Sequence, residues 1–336
     1  MRVVTFSEVA HRVGLAELVE PVAASLVAYS EGRVRTAPMM LFDLPDGEVH
    51  VKAAVMDGAP YWSVKVSASV PRNTVRGLTA AQSTVTLFDA ETGRPSVLIT
   101  DQGGLLTGLR TAAAGGLAAR MLAPETDTLL VLGTGLQARL QPQAFWRERP
   151  YRRLLVWGRN CTAAEKVVED LRLALPEVEV ETAADLPAAV GQAQSVVTAS
   201  TSNRPLLLGE WLQRGQHVTA IGADVVGKRE LDDDALARAD RLYVDSLAQN
   251  LQVGEVAAAV ANGALSLADV TGELGALLRQ PRVREQHELT VAKLVGIGVQ
   301  DLAAALTVLD NVGLEEPAST HIPQVTYDAH VRTERG

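Results

Sequence analysis

Apolar and polar residues alternate over positions 48–69 and again over 83–100, and each stretch is broken by a turn sequence, Asp57-Gly58-Ala59-Pro60 in the first and Glu91-Thr92-Gly93-Arg94-Pro95 in the second. A period of two predicts half-buried strands, here an antiparallel region. Over 106–122 the composition changes to the Ala, Leu and Arg of a helix, whose Gly115-Gly116 would let a neighbour approach closely. Beyond it, short continuous apolar runs alternate with helical patterns. Strands are expected at 128–132, 154–157, 178–181, 195–199, 217–221 and 242–244, and helices at 136–147, 162–175, 185–192, 209–213 and 232–238. Such alternation predicts a parallel sheet covered on both faces. The stretch 253–278 reads as helical, 291–309 as one strongly apolar helix returning to the first lobe, and the segment from Glu315 as a docked or frayed tail.

A chain of 336 residues has length for about two domains. Its 31 basic and 40 acidic residues give a formal charge of −9, which leaves no electrostatic footprint for nucleic acid or an anionic membrane. Residues are 47% apolar but only 4% aromatic, the mark of a folded chain of helices and buried strands. The single cysteine, Cys161, cannot form an internal disulfide, and the N-terminus lacks the apolar core of a signal peptide, so the cytoplasm is the expected location. No apolar run approaches the roughly 20 residues that cross a bilayer. The six histidines stand without i, i+3 or i, i+4 pairing, which argues against a histidine-bound catalytic metal.

Gly133-Thr134-Gly135-Leu136-Gln137-Ala138 is G-x-G-x-x-A set between a predicted strand and a predicted helix, the context that gives this short pattern meaning. Gly133 allows the tight turn, Gly135 lets a pyrophosphate reach the backbone, and Ala138 lets helix and strand approach, with free helix N–H groups aimed at phosphate. The alternative is an ordinary glycine-rich turn. An acid about 20 residues on would hold the ribose of NAD. Instead the second strand ends Val156-Trp157-Gly158-Arg159-Asn160, where Arg159 and Asn160 could meet a 2′-phosphate, so NADP is favoured with NAD possible. Arg159 could equally be a solvated helix-start residue or stack on adenine.

Several segments together resemble the ornithine cyclodeaminase/mu-crystallin family: Arg110-Thr111-Ala112-Ala113-Ala114, GTGLQAR at 133–139, IGADVVGKREL at 221–231, VGIGVQDLAAA at 295–305 and the strand SVKVS at 63–67. HVKAAV at 50–55, LLTGLRTAAAG at 105–115 and VWGR at 156–159 look most like its ectoine-utilisation branch. The resemblance implies an α/β fold with a Rossmann-type doubly wound parallel sheet, residues 123–290, binding NAD(P). To this it adds an α+β substrate-binding and dimerisation domain made of 1–122 with 291–336. It also implies a homodimer, which the apolar surface offered by the strands before residue 100 and by 291–309 supports independently.

Arg110, expected in the first turn of its helix, would hold the substrate carboxylate bidentately, against the alternative of pairing with Asp101 or Glu125. The resemblance matches Arg35 to a second carboxylate contact, although neighbouring Arg33 leaves the register open. Lys65 matches the family's active-site lysine. By alternation it shares a face with Ser63 and Ser67, opposite Trp62, Val64 and Val66, which fits a solvated lysine as well as a site residue. Lys52 on the preceding strand is a companion substrate-binding candidate. Asp224, after a strand that ends at the carboxyl edge of the sheet, matches the family's aspartate for the substrate amino group; otherwise it caps a helix or pairs with Lys228. By family position Thr111, the stretch Thr198-Ala199-Ser200 to Ser202, Gly222, and Gly296 with Asp301 lie toward the cofactor. The activity expected is NAD(P)-dependent hydride transfer at the carbon bearing carboxylate and nitrogen, of the ketimine reductase or ectoine-pathway type. The alternatives are a cyclodeaminase that releases ammonia with recycled NAD, and a non-enzymatic NADPH-binding protein.

Overall fold

The computed structural model describes residues 1–313, so the tail expected from Glu315 lies outside the described residues. Strands in the order Arg2–Val4, Pro95–Gln102, Ala81–Asp89, Tyr61–Ser69, Gly47–Met56 and Val34–Thr36 make a first sheet, with Met40–Leu44 also paired to Gly47–Met56. Arg2–Val4 runs parallel to its neighbour and the remaining pairs are antiparallel, as the alternating pattern requires. One face buries Ala54, Val85, Leu87, Val97 and Ile99 against the helices Leu15–Ser30, Leu105–Leu122 and Gly298–Val312. Trp62, Val64 and Val66 point to the other face.

The second sheet is wholly parallel, in the order Glu179–Thr182, Arg153–Trp157, Thr128–Leu132, Ser195–Thr198, His217–Ala220, Thr290–Lys293, Arg241–Val244 and Val270–Glu273. The chain leaves Thr128–Leu132 for strands on either side of it. That makes a topological switch point, where ligands of doubly wound sheets enter at the carboxyl ends of the strands.

The single helix expected over 291–309 is corrected. Thr290–Lys293 is a fully buried interior strand of the second sheet, and the helix begins only at Gly298. A strand buried on both faces is a continuous apolar run, which periodicity cannot separate from a buried helix. The helical reading of 253–278 also gives way. Helix Gly254–Ala261 is followed by a 3-10 turn, the edge strand Val270–Glu273 and helix Leu274–Arg279. At 209–213 only one 3-10 turn, Gly209–Trp211, forms.

Helix Leu105–Leu122 joins the lobes by lying along helix Leu136–Glu148. A Cβ on Gly115 would stand 1.9 Å from Gln141 Oε1, and one on Gly116 would stand 3.0 Å from the Ala144 carbonyl. The paired glycines therefore let the two helices touch. Gln137 Nε2 donates to the Gly108 carbonyl (3.0 Å), tying the start of helix Leu136–Glu148 to helix Leu105–Leu122. Among the described residues no single helix is long and apolar enough to cross a membrane.

Candidate active site

A cavity of about 340 Å³ opens between the lobes, lined at one end by Gly135, Leu136 and Gln137 and at the other by His50, Lys52, Lys65 and Arg110. Loops that follow strands Ser195–Thr198 and His217–Ala220 close it through Ala199, Ser200, Gly222 and Asp224. Thr111 also lines it, its hydroxyl donating to the Thr107 carbonyl (2.8 Å).

At the glycine loop, Gly133 has φ +146°, and a Cβ there would stand 2.3 Å from the Ala199 carbonyl, so only glycine fits. Gly135 faces open space: an added Cβ would meet nothing within 4 Å. It precedes helix Leu136–Glu148, which has no side-chain cap, so the first N–H groups of that helix stand available to an anion. Ala138 is fully buried at the helix–strand contact. Thr134 packs its methyl under Gly158, where a Cβ would lie 2.4 Å away. Open space, free amides and a carboxyl-edge position fit a dinucleotide pyrophosphate. Arg159 is exposed at the end of the next strand. Asn160 Oδ1 accepts from Ala163 N–H (3.0 Å) as a helix cap, which commits that oxygen elsewhere. Thr198 is likewise committed: fully buried, it donates to Glu230 (2.7 Å) rather than facing the cavity.

At the opposite end, Lys52 and Lys65 stand directly opposite each other across antiparallel strands, both on the inward face and both buried. Lys65 Nζ donates to Asp301 (3.0 Å), and Arg110 Nε donates to the same carboxylate oxygen (2.9 Å). Arg110 Nη1 donates to Gln300 Oε1 (3.2 Å). Among the described residues Lys52 has only carbonyl partners, at Gly296 (2.7 Å) and Val295 (3.4 Å). Burial pushes the Lys52 pKa down, and Arg110 and Lys65 add to this against Asp301, leaving it about 8. Lys65 is lowered as well, chiefly by burial and against the pull of Asp301. Burial alone would raise Asp301, but Arg110, Lys65 and Lys52 outweigh it and hold the carboxyl at about 2. Lys65 and Arg110 therefore share one carboxylate, and Lys52 stands buried beside them. Like charges set directly opposite are unfavourable, and a buried charge without a counter-ion is costly, so this pocket is built for an anion.

Arg110 pairs with Asp301, not with Asp101 or Glu125, and it lies in the second turn of its helix rather than the first. Asp101 instead accepts from the Leu106 and Thr107 N–H groups at the start of that helix (2.9 and 3.2 Å). Gly296, expected toward the cofactor, has φ +78° and lies against the guanidinium: a Cβ would stand 2.4 Å from Arg110 Nη1. Asp301 likewise sits beneath the cations. The reading of Arg35 as a carboxylate contact is corrected. Its side chain is 72% exposed, it pairs with Asp57 (2.9 Å) on the outer strand, and it is not in the cavity wall.

Asp224 is half-buried on the cavity wall and pairs with Lys228 (3.0 Å), which also reaches Glu48 (3.1 Å). Burial would raise its pKa, but Lys228 and Lys52 outweigh that and keep it below the usual carboxylate range. His50 was not anticipated. It is buried on the cavity wall, where burial pushes its pKa down against the pull of Asp224 and Glu48; Nε2 faces Glu48 at 3.3 Å. The signal available was period two, since His50, Lys52 and Ala54 fall on one face of their strand.

A Rossmann sheet whose glycine loop faces a buried cluster of cations defines an NAD(P)-dependent enzyme of the oxidoreductase or cyclodeaminase class. The chain belongs to the ornithine cyclodeaminase/mu-crystallin family, whose model matches residues 1–316. It is 38% identical over 278 residues to an uncharacterised cyclodeaminase of Sinorhizobium fredii, covering 81% of this chain and 83% of that one. The structure of Paracoccus denitrificans iminosuccinate reductase in complex with NAD+ superposes with a TM-score of 0.84 at 30% identity, covering 92% of this chain and 95% of that one. An archaeal alanine dehydrogenase dimer with bound NAD gives 0.85 at 28% identity, covering 93% and 95%.

Proposed function

We propose that this enzyme is a ketimine reductase, of the kind associated with ectoine utilisation, working at the carbon of a small imino acid that bears both carboxylate and nitrogen. The observation that carries the reading is the cluster of Lys52, Lys65 and Arg110 buried around Asp301, in the same cavity as the glycine loop. Lys65 has two ammonium protons beyond the one given to Asp301, and Arg110 Nη2 makes no hydrogen bond among the described residues, so both can grip a carboxylate. Gripped there, the adjacent carbon is oriented toward the glycine-loop end of the cavity, and that orientation supplies much of the rate. Asp224, kept ionised by Lys228, holds the N–H of a protonated imine or amine. Gly133 to Ala138 would hold the dinucleotide, which when bound supplies the hydride.

NADP is the favoured cofactor, because the strand Arg153–Trp157 is followed by Gly158, Arg159 and Asn160 with no acid to repel a 2′-phosphate. A homodimer through the outer face of the first sheet is supported by the alanine dehydrogenase dimer and by the half-exposed Val49, Val51, Trp62, Val64 and Phe88. A cytoplasmic enzyme is consistent with the lone cysteine.

A cyclodeaminase is the second reading, favoured by the cyclodeaminase relative and by Asp224 itself. Incubation with ornithine, lysine, diaminobutyrate, alanine and Δ1-pyrroline-2-carboxylate, following ammonia and nicotinamide absorbance together, separates the two. The expected result is NADPH consumed with the ketimine and no stoichiometric ammonia from ornithine. Ornithine giving proline and ammonia with no net change in cofactor would replace the first reading with the second. Asp224→Asn sharpens the contrast: ring closure of a protonated diamine should fall about 10²-fold or more, and reduction of a preformed ketimine less.

A further inference from the structure

Glu230 is wholly buried on the short strand Arg229–Leu231, outside the cavity. Its carboxylate accepts from the Thr198 hydroxyl (2.7 Å) and Ser200 N–H (2.5 Å) at the end of one central strand, and from Gly222 N–H (2.7 Å) after the next. Behind it, Glu255 accepts from Glu230 N–H (2.7 Å) and pairs with Lys293 (3.0 Å); both are fully buried. Lys293 Nζ then donates to the Ala223 carbonyl (2.7 Å). Nothing larger fits between these groups. A Cβ on Gly222 would lie 2.0 Å from Ser200 O and 2.5 Å from Glu230 Cδ, and one on Gly254 would lie 2.6 Å from Ala223 O.

Two carboxylates sharing one lysine in a dry interior is an expensive arrangement. Burial first, and Glu255 second, push the Glu230 pKa upward. What the arrangement provides is an acceptor for two loop amides and a hydroxyl that no backbone group reaches, and a buried amide without an acceptor would carry its full desolvation cost. Both loops form cavity wall, through Ala199 and Ser200 on one and Gly222 and Asp224 on the other.

We propose that Glu230 is a positioning residue: backed by Glu255 and Lys293, it clamps the loops after strands Ser195–Thr198 and His217–Ala220 together and so fixes where Asp224 stands in the cavity. The inference rests on the reading of Asp224 as a substrate-facing group, and one arm of its test is independent of that reading.

The test uses the full-length protein with Glu230→Gln, which keeps the shape but turns an N–H toward donors. Hydrogen exchange in the cofactor-free protein should speed up by about tenfold or more at the Ser200 and Gly222 amides, with the Thr128–Leu132 strand unchanged. With Δ1-pyrroline-2-carboxylate and NADPH, kcat should fall about tenfold to a hundredfold with a smaller change in KM. Added to Asp224→Asn, the change should cost no further activity, because it acts through that residue. If Asp224→Asn is itself fully active, the role given to Asp224 falls, and if the ketimine is not turned over, the reductase reading falls; in both cases exchange alone decides the clamp. Unchanged exchange, wild-type kcat, or losses that multiply in the double variant would overturn the proposal. Should Glu230→Gln fail to fold, Thr198→Val removes one of the three bonds and is read in the same way.

Discussion

Lys52 faces Lys65 across the antiparallel strands Gly47–Met56 and Tyr61–Ser69, and among the described residues only Lys65 of the two contacts a carboxylate, Asp301 at 3.0 Å. The member of the pair without a direct carboxylate contact is Lys52, whose pKa of about 8 places its charge within the working range of pH.

A basic limb in kcat/KM near pH 8 follows from this. The ammonium is present below that pH and is lost above it, so the pocket's hold on the substrate carboxylate weakens as pH rises. The profile of kcat/KM reports the free enzyme, where this pKa applies. In Lys52→Met the limb should disappear and kcat/KM at pH 7 should drop roughly tenfold to a hundredfold, the worth of about 1.5–3 kcal/mol for a charged hydrogen bond. A limb unchanged in Lys52→Met would assign it to another group.

Gly296→Ala should be far more damaging than an added methyl suggests. The residue has φ +78°, and its Cβ would stand 2.4 Å from Arg110 Nη1, so the guanidinium must move. Loss of kcat/KM comparable to that of Arg110→Ala is expected, because misplacing a substrate clamp by about 1 Å costs on the order of 10²-fold. Steady-state kinetics of the two variants, with circular dichroism to verify folding, measures this; near-normal turnover in Gly296→Ala would mean Arg110 has other usable positions.

Arg159→Ala should weaken NADPH binding by about tenfold and leave NADH binding within about twofold, since only the former carries a 2′-phosphate for the guanidinium to pair with. Nicotinamide fluorescence titration gives both constants. Equal loss for both cofactors would move Arg159 to the adenine or to the surface.

Val66→Lys should produce monomers. Val66 is 43% exposed on the outer face of the first sheet, beside Val64 and near the stacked rings of Trp62 and Phe88 (4.1 Å), and a charge there would have to be buried in any interface formed by that face. Light scattering at micromolar concentration should give twice the 35.7 kDa chain mass for the wild type and the single mass for the variant. A wild-type monomer would refute the interface.

Local pattern by itself determined which parts of this protein are strands and helices wherever period and length were distinctive. Alternation gave the hairpins around Asp57-Gly58 and Thr92-Gly93, and strand–GTGLQA–helix gave the nucleotide loop, because both signals are contained in a few consecutive residues. It could not place Thr290–Lys293, since a strand flanked on both sides in a parallel sheet has the same apolar text as a buried helix. Nor could it separate Arg35 from the true cavity cations. Arg35, like Lys52 and Lys65, is a cation on a strand, and which of these faces the interlobe space depends on sheet order and register, with Arg35 left at the outer edge beside Asp57. Lys65, Arg110 and Asp301 are separated by up to 236 positions in the chain and meet only when helix Gly298–Val312 packs against the first sheet. Residue type and spacing named the chemistry; the long-range packing of that helix decided which charges are paired and which wait for a substrate.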